Sequence, residues 1–191
     1  MPKKVVLVHE WGGNANTGWK PWLKSELEKA GHEVIVPDMP DTEAPAIEKW
    51  VGHLAKMVNK PDKDTFFVGH SIGCQTILRY LNDYLEPSAM VGGAVFVAGW
   101  FDLENLEQGE EPIAKPWIEQ PINSRKIKAI LPKSTLIISD NDPYGAFEYN
   151  KKKFSELGSK IVIVKGAGHI TGDEGFKEFP PILSELKTLM E

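Results

Sequence analysis

Gly69-His70-Ser71-Ile72-Gly73 sets a hydroxyl nucleophile between two glycines, after the apolar run Thr65-Phe66-Phe67-Val68 and before the helix-like stretch Cys74 to Leu81. A serine hydroxyl attacks poorly unless a base can reach it. A sharp strand-to-helix turn exposes it, and small residues two positions to either side let the backbone fold that tightly. A base and an orienting acid follow along the chain. Asp140-Asn141-Asp142-Pro143 comes after the run Thr135 to Ser139, and Lys165-Gly166-Ala167-Gly168-His169 comes after Ile161 to Val164. Ser, Asp, His is the chain order used by hydrolases built around such a turn. On this reading His169 takes the Ser71 proton at one ring nitrogen while the other donates to Asp142, which selects the tautomer and stabilises the imidazolium as it forms. Asp140 competes from the same short loop. Asp142 is preferred because Pro143 restrains the backbone behind it, and an Asp at the very end of a strand points less readily across the rim.

Acyl transfer also needs donors for the oxyanion, usually the N–H after the nucleophile and one from the loop behind an earlier strand. Ile72 is expected to supply the first. The second is expected from His9-Glu10-Trp11-Gly12-Gly13-Asn14, with Trp11 preferred and Glu10 the alternative. Trp100, Phe101 and Trp117, with Trp11, are expected to wall an apolar substrate pocket; core packing is an equal reading for tryptophans in a chain that has six. The remaining histidines read as structural. His32 and His53 have no evident partner, His70 should turn into the structure around the serine, and no histidine pair has metal-ligand spacing. Neither metal nor cofactor is expected. Cys74, one helical turn past Ser71, reads as packing.

These groups must be carried to one rim, and the chain's periodicity supplies the means. Short β-branched runs, at 4–8, 33–36, 65–68, 93–98, 135–139 and 160–164, alternate with helical patterns at 19–30, 44–59, 71–84, 124–131, 146–157 and 176–190. Such alternation predicts a three-layer α/β/α sandwich around a six-stranded parallel sheet, and the continuous apolar runs suit strands buried on both faces. The expected strand order is 2-1-3-4-5-6. The segment 99–123 breaks the rhythm with an acidic run, several prolines and no clean period. It follows the fourth strand, at the edge where an α/β site opens, and is expected to form a partial lid.

A chain of 191 residues suits one domain, 1–191. A net charge of −5 gives none of the basic footprint that nucleic-acid binding requires. The apolar run Val5 to Val8 is too short for a signal or a membrane span, and one cysteine permits no internal disulfide, so a cytoplasmic location is expected. A nucleotide-binding reading of the sheet fails because neither Gly-x-Gly-x-x-Gly nor Gly-Lys-Ser/Thr follows the first strand.

With these residues in view the chain resembles the α/β-hydrolase superfamily, and within it the small retinoblastoma-binding-protein-9-like serine hydrolases. The likeness runs almost end to end. It rests on Gly69 to Gly73, Met39-Pro40-Asp41, Lys115-Pro116-Trp117, Asp140 to Pro143 and Gly168-His169. The resemblance places the nucleophile, acid and base on Ser71, Asp142 and His169. It implies hydrolysis of small carboxylic esters or amides through an acyl-serine, without a cofactor and with a small molecule as the partner. Two departures stand out. Glu10 occupies a position where many superfamily members have the first glycine of the oxyanion loop, and the Leu-x-Cys-x-Glu motif that docks to the retinoblastoma pocket is absent. The rival reading is a catalytically idle protein that keeps this fold as a protein-binding module.

Overall fold

The computed structural model describes residues 1–191 and holds six strands in one parallel sheet. The strands are β1 (Lys4–Val8), β2 (Glu33–Ile35), β3 (Thr65–His70), β4 (Gly93–Val97), β5 (Ser134–Ser139) and β6 (Lys160–Val164). Their spatial order is β2-β1-β3-β4-β5-β6, all neighbours parallel. The expected order is the observed one, and the architecture is the α/β-hydrolase fold.

Successive side chains on a strand point to opposite faces, and the core divides accordingly. Val6 and Val8, Phe67, Ala94 and Phe96, Leu136 and Ile138 face one layer; Val5 and Leu7, Phe66 and Val68, Val95 and Val97, and Ile137 face the other. The first layer is covered by helices α2 (Ile47–Val58), α3 (Ile72–Tyr84), α4 (Glu111–Glu119), α5 (Ser124–Ile130) and α6 (Phe147–Glu156). The second lies under α1 (Lys20–Lys29) and α7 (Pro180–Met190). Proline stands in the first turn of α1 and α7, where its missing N–H costs nothing.

Helix α3 is buried along its whole length from Ile72 to Leu81, so its polar residues must find partners indoors. Gln75 Nε2 donates to the Trp100 carbonyl at 2.5 Å, and Arg79 donates to the carbonyls of Trp117 (2.6 Å) and Gln120 (3.0 Å) at the end of α4. These bonds fasten the segment 99–123 to the helix that follows Ser71. That segment also contains a helix that periodicity did not disclose. Pro112 occupies its first turn and Pro116 its interior, so α4 lacks one ladder bond and reads from sequence as a broken loop. No helix is long and apolar enough to cross a membrane.

Candidate active site

Ser71 stands between β3 and α3 with φ 52° and ψ −119°, a backbone region that costs a non-glycine residue on the order of 1–3 kcal/mol. The glycines flanking it are dictated by close approach. A Cβ on Gly69 would come within 2.8 Å of the Cys74 nitrogen, and one on Gly73 within 2.3 Å of the Val8 carbonyl oxygen. The turn is further held by the Ser71 N–H donating to the Val97 carbonyl at 2.9 Å.

The turns that carry Asp142 and His169 are laced together at the ends of β5 and β6. Ser139 Oγ donates to Asn141 Oδ1 (2.7 Å) and accepts from Ala167 N–H (3.0 Å); Asn141 Oδ1 also accepts from Gly168 N–H (2.8 Å). His169 Nδ1 then meets Asp142 Oδ2 at 2.8 Å, while Asp142 Oδ1 accepts from Tyr144 N–H at 3.0 Å. A carboxylate only accepts here, so the imidazole carries its proton on Nδ1 and leaves Nε2 as an acceptor. Asp140 is exposed and spends its carboxylate on Gly166 N–H at 2.8 Å. Glu174, which the sequence did not single out, braces the His169 turn by accepting from the N–H groups of His169 (2.9 Å) and Thr171 (2.8 Å). Burial would raise its carboxyl, but these bonds outweigh burial and hold it below the usual range. An acidic residue five positions beyond the histidine is the only signal the sequence offers for it.

Ser71 and His169 open into one cavity of about 310 Å³, lined also by Glu10, Trp11, Trp100 and Tyr144. Leu103, Leu106 and Glu110 line it from the segment 99–123. The Ser71 hydroxyl accepts from Trp100 Nε1–H at 3.3 Å. Trp11 N–H and Ile72 N–H donate to no loop carbonyl or side chain, and the Trp11 indole is pinned by donating to the Glu43 carbonyl at 3.1 Å.

Two of the expected pocket aromatics lie elsewhere. Phe101 packs edge-on against Phe154, ring centroids 5.1 Å apart, behind the site. Trp117 is 1% exposed, donates to the Pro45 carbonyl at 3.0 Å and meets Trp50 edge-on. Trp117 is core on the inner face of α4 and Phe101 packs half-buried against α6, so only Trp11 and Trp100 of the four reach the cavity. A larger, shallow groove of about 760 Å³ runs along the outer side of α4 past Gln108, Lys115 and Glu119, but holds neither nucleophile nor base.

Beneath the loop that follows β1 lies a largely buried polar cluster. Glu10 Oε2 accepts from Lys20 Nζ at 2.6 Å and lies 3.2 Å from His70 Nδ1; Oε1 accepts from Thr17 Oγ1 at 3.2 Å. Burial alone would raise the Glu10 carboxyl; a protonated His70 and Lys20 outweigh it and hold it well below the carboxylate range. Complete burial lowers the His70 ring despite the facing Glu10, so the standing counter-charge is Lys20. His70 does turn into the structure, as expected, and its Nε2 meets the His169 carbonyl at 2.9 Å. No three His, Cys, Asp or Glu side chains converge as a metal site would require.

Comparison with known proteins points the same way. The family model described as serine hydrolase matches residues 5–188. The protein YdeN of Bacillus subtilis (strain 168) is 29% identical over 188 residues, covering 97% of this chain and 95% of its own. A crystal structure of the B. subtilis ydeN gene product superposes with a TM-score of 0.89 at 24% identity, over 98% of each chain. A structure from work on carboxylesterases of the thaumarchaeon Nitrososphaera gargenis superposes at 0.71 with 16% identity, over 99% of this chain and 91% of that one. At these identities the two structures speak for the fold alone.

Proposed function

The chain belongs to the serine hydrolase family, and from that premise we propose that it cleaves small carboxylic esters or amides through an acyl-serine intermediate on Ser71. The observation that carries this reading is the 2.8 Å bond from His169 to Asp142, opening into the same cavity as a serine held at positive φ. In the proposed cycle Ser71 Oγ attacks the substrate carbonyl carbon and His169 Nε2 takes the hydroxyl proton. Asp142 accepts from Nδ1–H throughout and stabilises the imidazolium without itself taking the proton. The N–H groups of Trp11 and Ile72 receive the oxyanion, and the positive end of α3 adds to their effect. His169 then hands its proton to the departing alcohol or amine. Water, deprotonated by His169, releases the acid and restores Ser71. Trp100, which donates to Ser71 Oγ at rest, is the group the hydroxyl leaves when it turns toward the base.

The experiment is covalent labelling with a fluorophosphonate followed by peptide mapping, alongside turnover of a panel of chromogenic esters of increasing acyl length. The expected result is one adduct, on Ser71, and turnover that Ser71→Ala abolishes. A wild-type protein inert to both reagents would favour the idle-binding alternative.

A further inference from the structure

A glutamate beside an oxyanion site is a paradox, because a second negative charge there opposes the one the reaction creates. Glu10 immediately precedes Trp11, and both line the cavity of Ser71. Its side chain folds back over Gly13, where a Cβ would lie 2.7 Å from Glu10 Cδ, and ends at Lys20 Nζ, 2.6 Å away. Lys20 has a side chain only 1% exposed and no other carboxylate partner. A lysine so deeply buried is rare without a dedicated counter-ion.

The cluster touches three loops of the site. Thr17 belongs to the approach to α1 and Lys20 to its first turn, His70 to the Ser71 turn, and the His169 carbonyl to the turn after β6. A carbonyl can only accept, so His70 carries its proton on Nε2, and Nδ1 faces Glu10 Oε2 at 3.2 Å without the alignment of a hydrogen bond. His70 therefore cannot stand in for Lys20 while it is neutral. Trp19, next to Lys20, adds a second tie by donating from Nε1 to the Ile170 carbonyl at 3.2 Å.

We propose that Glu10 and Lys20 form a charge-neutral clamp that positions the oxyanion loop against the nucleophile and base turns, and that Lys20 serves chiefly to cancel Glu10. Both are positioning residues, acting through Trp11 N–H and through His70 on the His169 carbonyl. The inference rests on the hydrolytic reading of Ser71. It makes a prediction that simple packing does not: removing the cation alone harms the enzyme more than removing both charges.

The test compares Lys20→Met, Glu10→Gln, the double variant and Lys20→Arg, measuring kcat and KM on a neutral chromogenic ester and the rate of fluorophosphonate labelling. Lys20→Met is expected to lower kcat by at least about 100-fold with KM changed less than about threefold, the loss typical of a disabled oxyanion donor. The double variant is expected to recover kcat to within about tenfold of wild type, and Lys20→Arg to retain most of it. A double variant no better than Lys20→Met, or a Lys20→Met enzyme within threefold of wild type, overturns the clamp. Should Lys20→Met fail to fold, the comparison is read in soluble, cooperatively melting protein: recovery in the double variant supports mutual cancellation, and its failure to recover overturns it. A wild type inert toward the ester and the fluorophosphonate would defeat the hydrolase reading instead, and the folding comparison would still decide whether the two charges cancel.

Discussion

The rim of the sheet and the body beneath it follow opposite rules. In the body, β1, β3, β4 and β5 run with regular backbone and side chains almost wholly withdrawn from solvent, and Trp50, Phe67 and Leu78 sit among apolar neighbours. On the rim, at and beyond the strands' carboxyl ends, Ser71, Ala98 and Ile170 adopt positive φ without being glycine, and Lys20, His70 and His169 are buried although polar, with Glu10 half-buried among them. Strain and buried polarity both cost stability. They are gathered at one edge and held there by the packing below, as expected where a site has been built at the expense of local consistency. If this division is right, substitutions at the rim should lower activity with little loss of fold, and substitutions in the body should do the reverse.

The largest expected effect is at Ser71. Ser71→Ala removes only a hydroxyl and leaves the strained backbone as it was, so the melting temperature should stay within about 2 °C while kcat/KM falls by about 10⁴-fold or more. Retention of more than a tenth of wild-type activity would take Ser71 out of the chemistry. Next come the two aspartates of one turn. Asp142→Asn should cost about 10³–10⁴-fold in kcat, because an amide facing Nδ1 no longer selects the tautomer that leaves Nε2 free. Asp140→Asn disturbs only the bond to Gly166 N–H and should cost less than about fivefold. The opposite ranking in steady-state kinetics would move the acid to Asp140.

The body gives the converse. Leu54 on α2 is fully buried within the larger apolar layer. Leu54→Ala should lower unfolding free energy by about 2–5 kcal/mol through lost transfer energy and the cavity left behind. Its kcat per folded molecule should stay within about twofold of wild type. A denaturant titration combined with active-site titration separates the two quantities. A Leu54→Ala enzyme that kept its stability but lost kcat would erase the distinction between rim and body.

The same contrast explains what the sequence disclosed. Strand positions and order were legible because parallel strands buried on both faces read as short apolar runs, as Val5 to Val8 does. The serine turn was legible because close approach demands glycine on both sides of Ser71, a requirement visible in the letters themselves. Asp142 and His169 were legible as candidates by their place after strands. What remained hidden depends on tertiary contact: Gln75 and Arg79 reach carbonyls of the segment 99–123 across the fold, and the partner of Glu10 lies ten residues away on the next helix. Helix α4 was obscured by its own prolines. The tryptophans could not be sorted either, since Trp100 and Trp117 are nearly equally buried and differ only in what their indole N–H groups meet, Ser71 in one case and Pro45 in the other.

The smallest expected effect concerns Cys74, and it tests the boundary itself. Ser71 and Cys74 lie three residues apart at the head of one helix, yet only the first opens into the cavity. Cys74 is fully buried, its Sγ lies 3.5 Å from the Val97 carbonyl, and burial pushes its thiol well above the ordinary range. A raised thiol pKa leaves less thiolate at any given pH, and the thiolate is the reactive form. Native protein treated with iodoacetamide at pH 8 should therefore show no alkylation over an hour, while the unfolded chain reacts completely, and activity should be unchanged by the native treatment. Fluorophosphonate under the same native conditions should still label Ser71. Rapid alkylation of Cys74 in the folded protein would mean that solvent reaches beneath the turn, and that the packing said to hold the strained rim does not extend to its first helical turn.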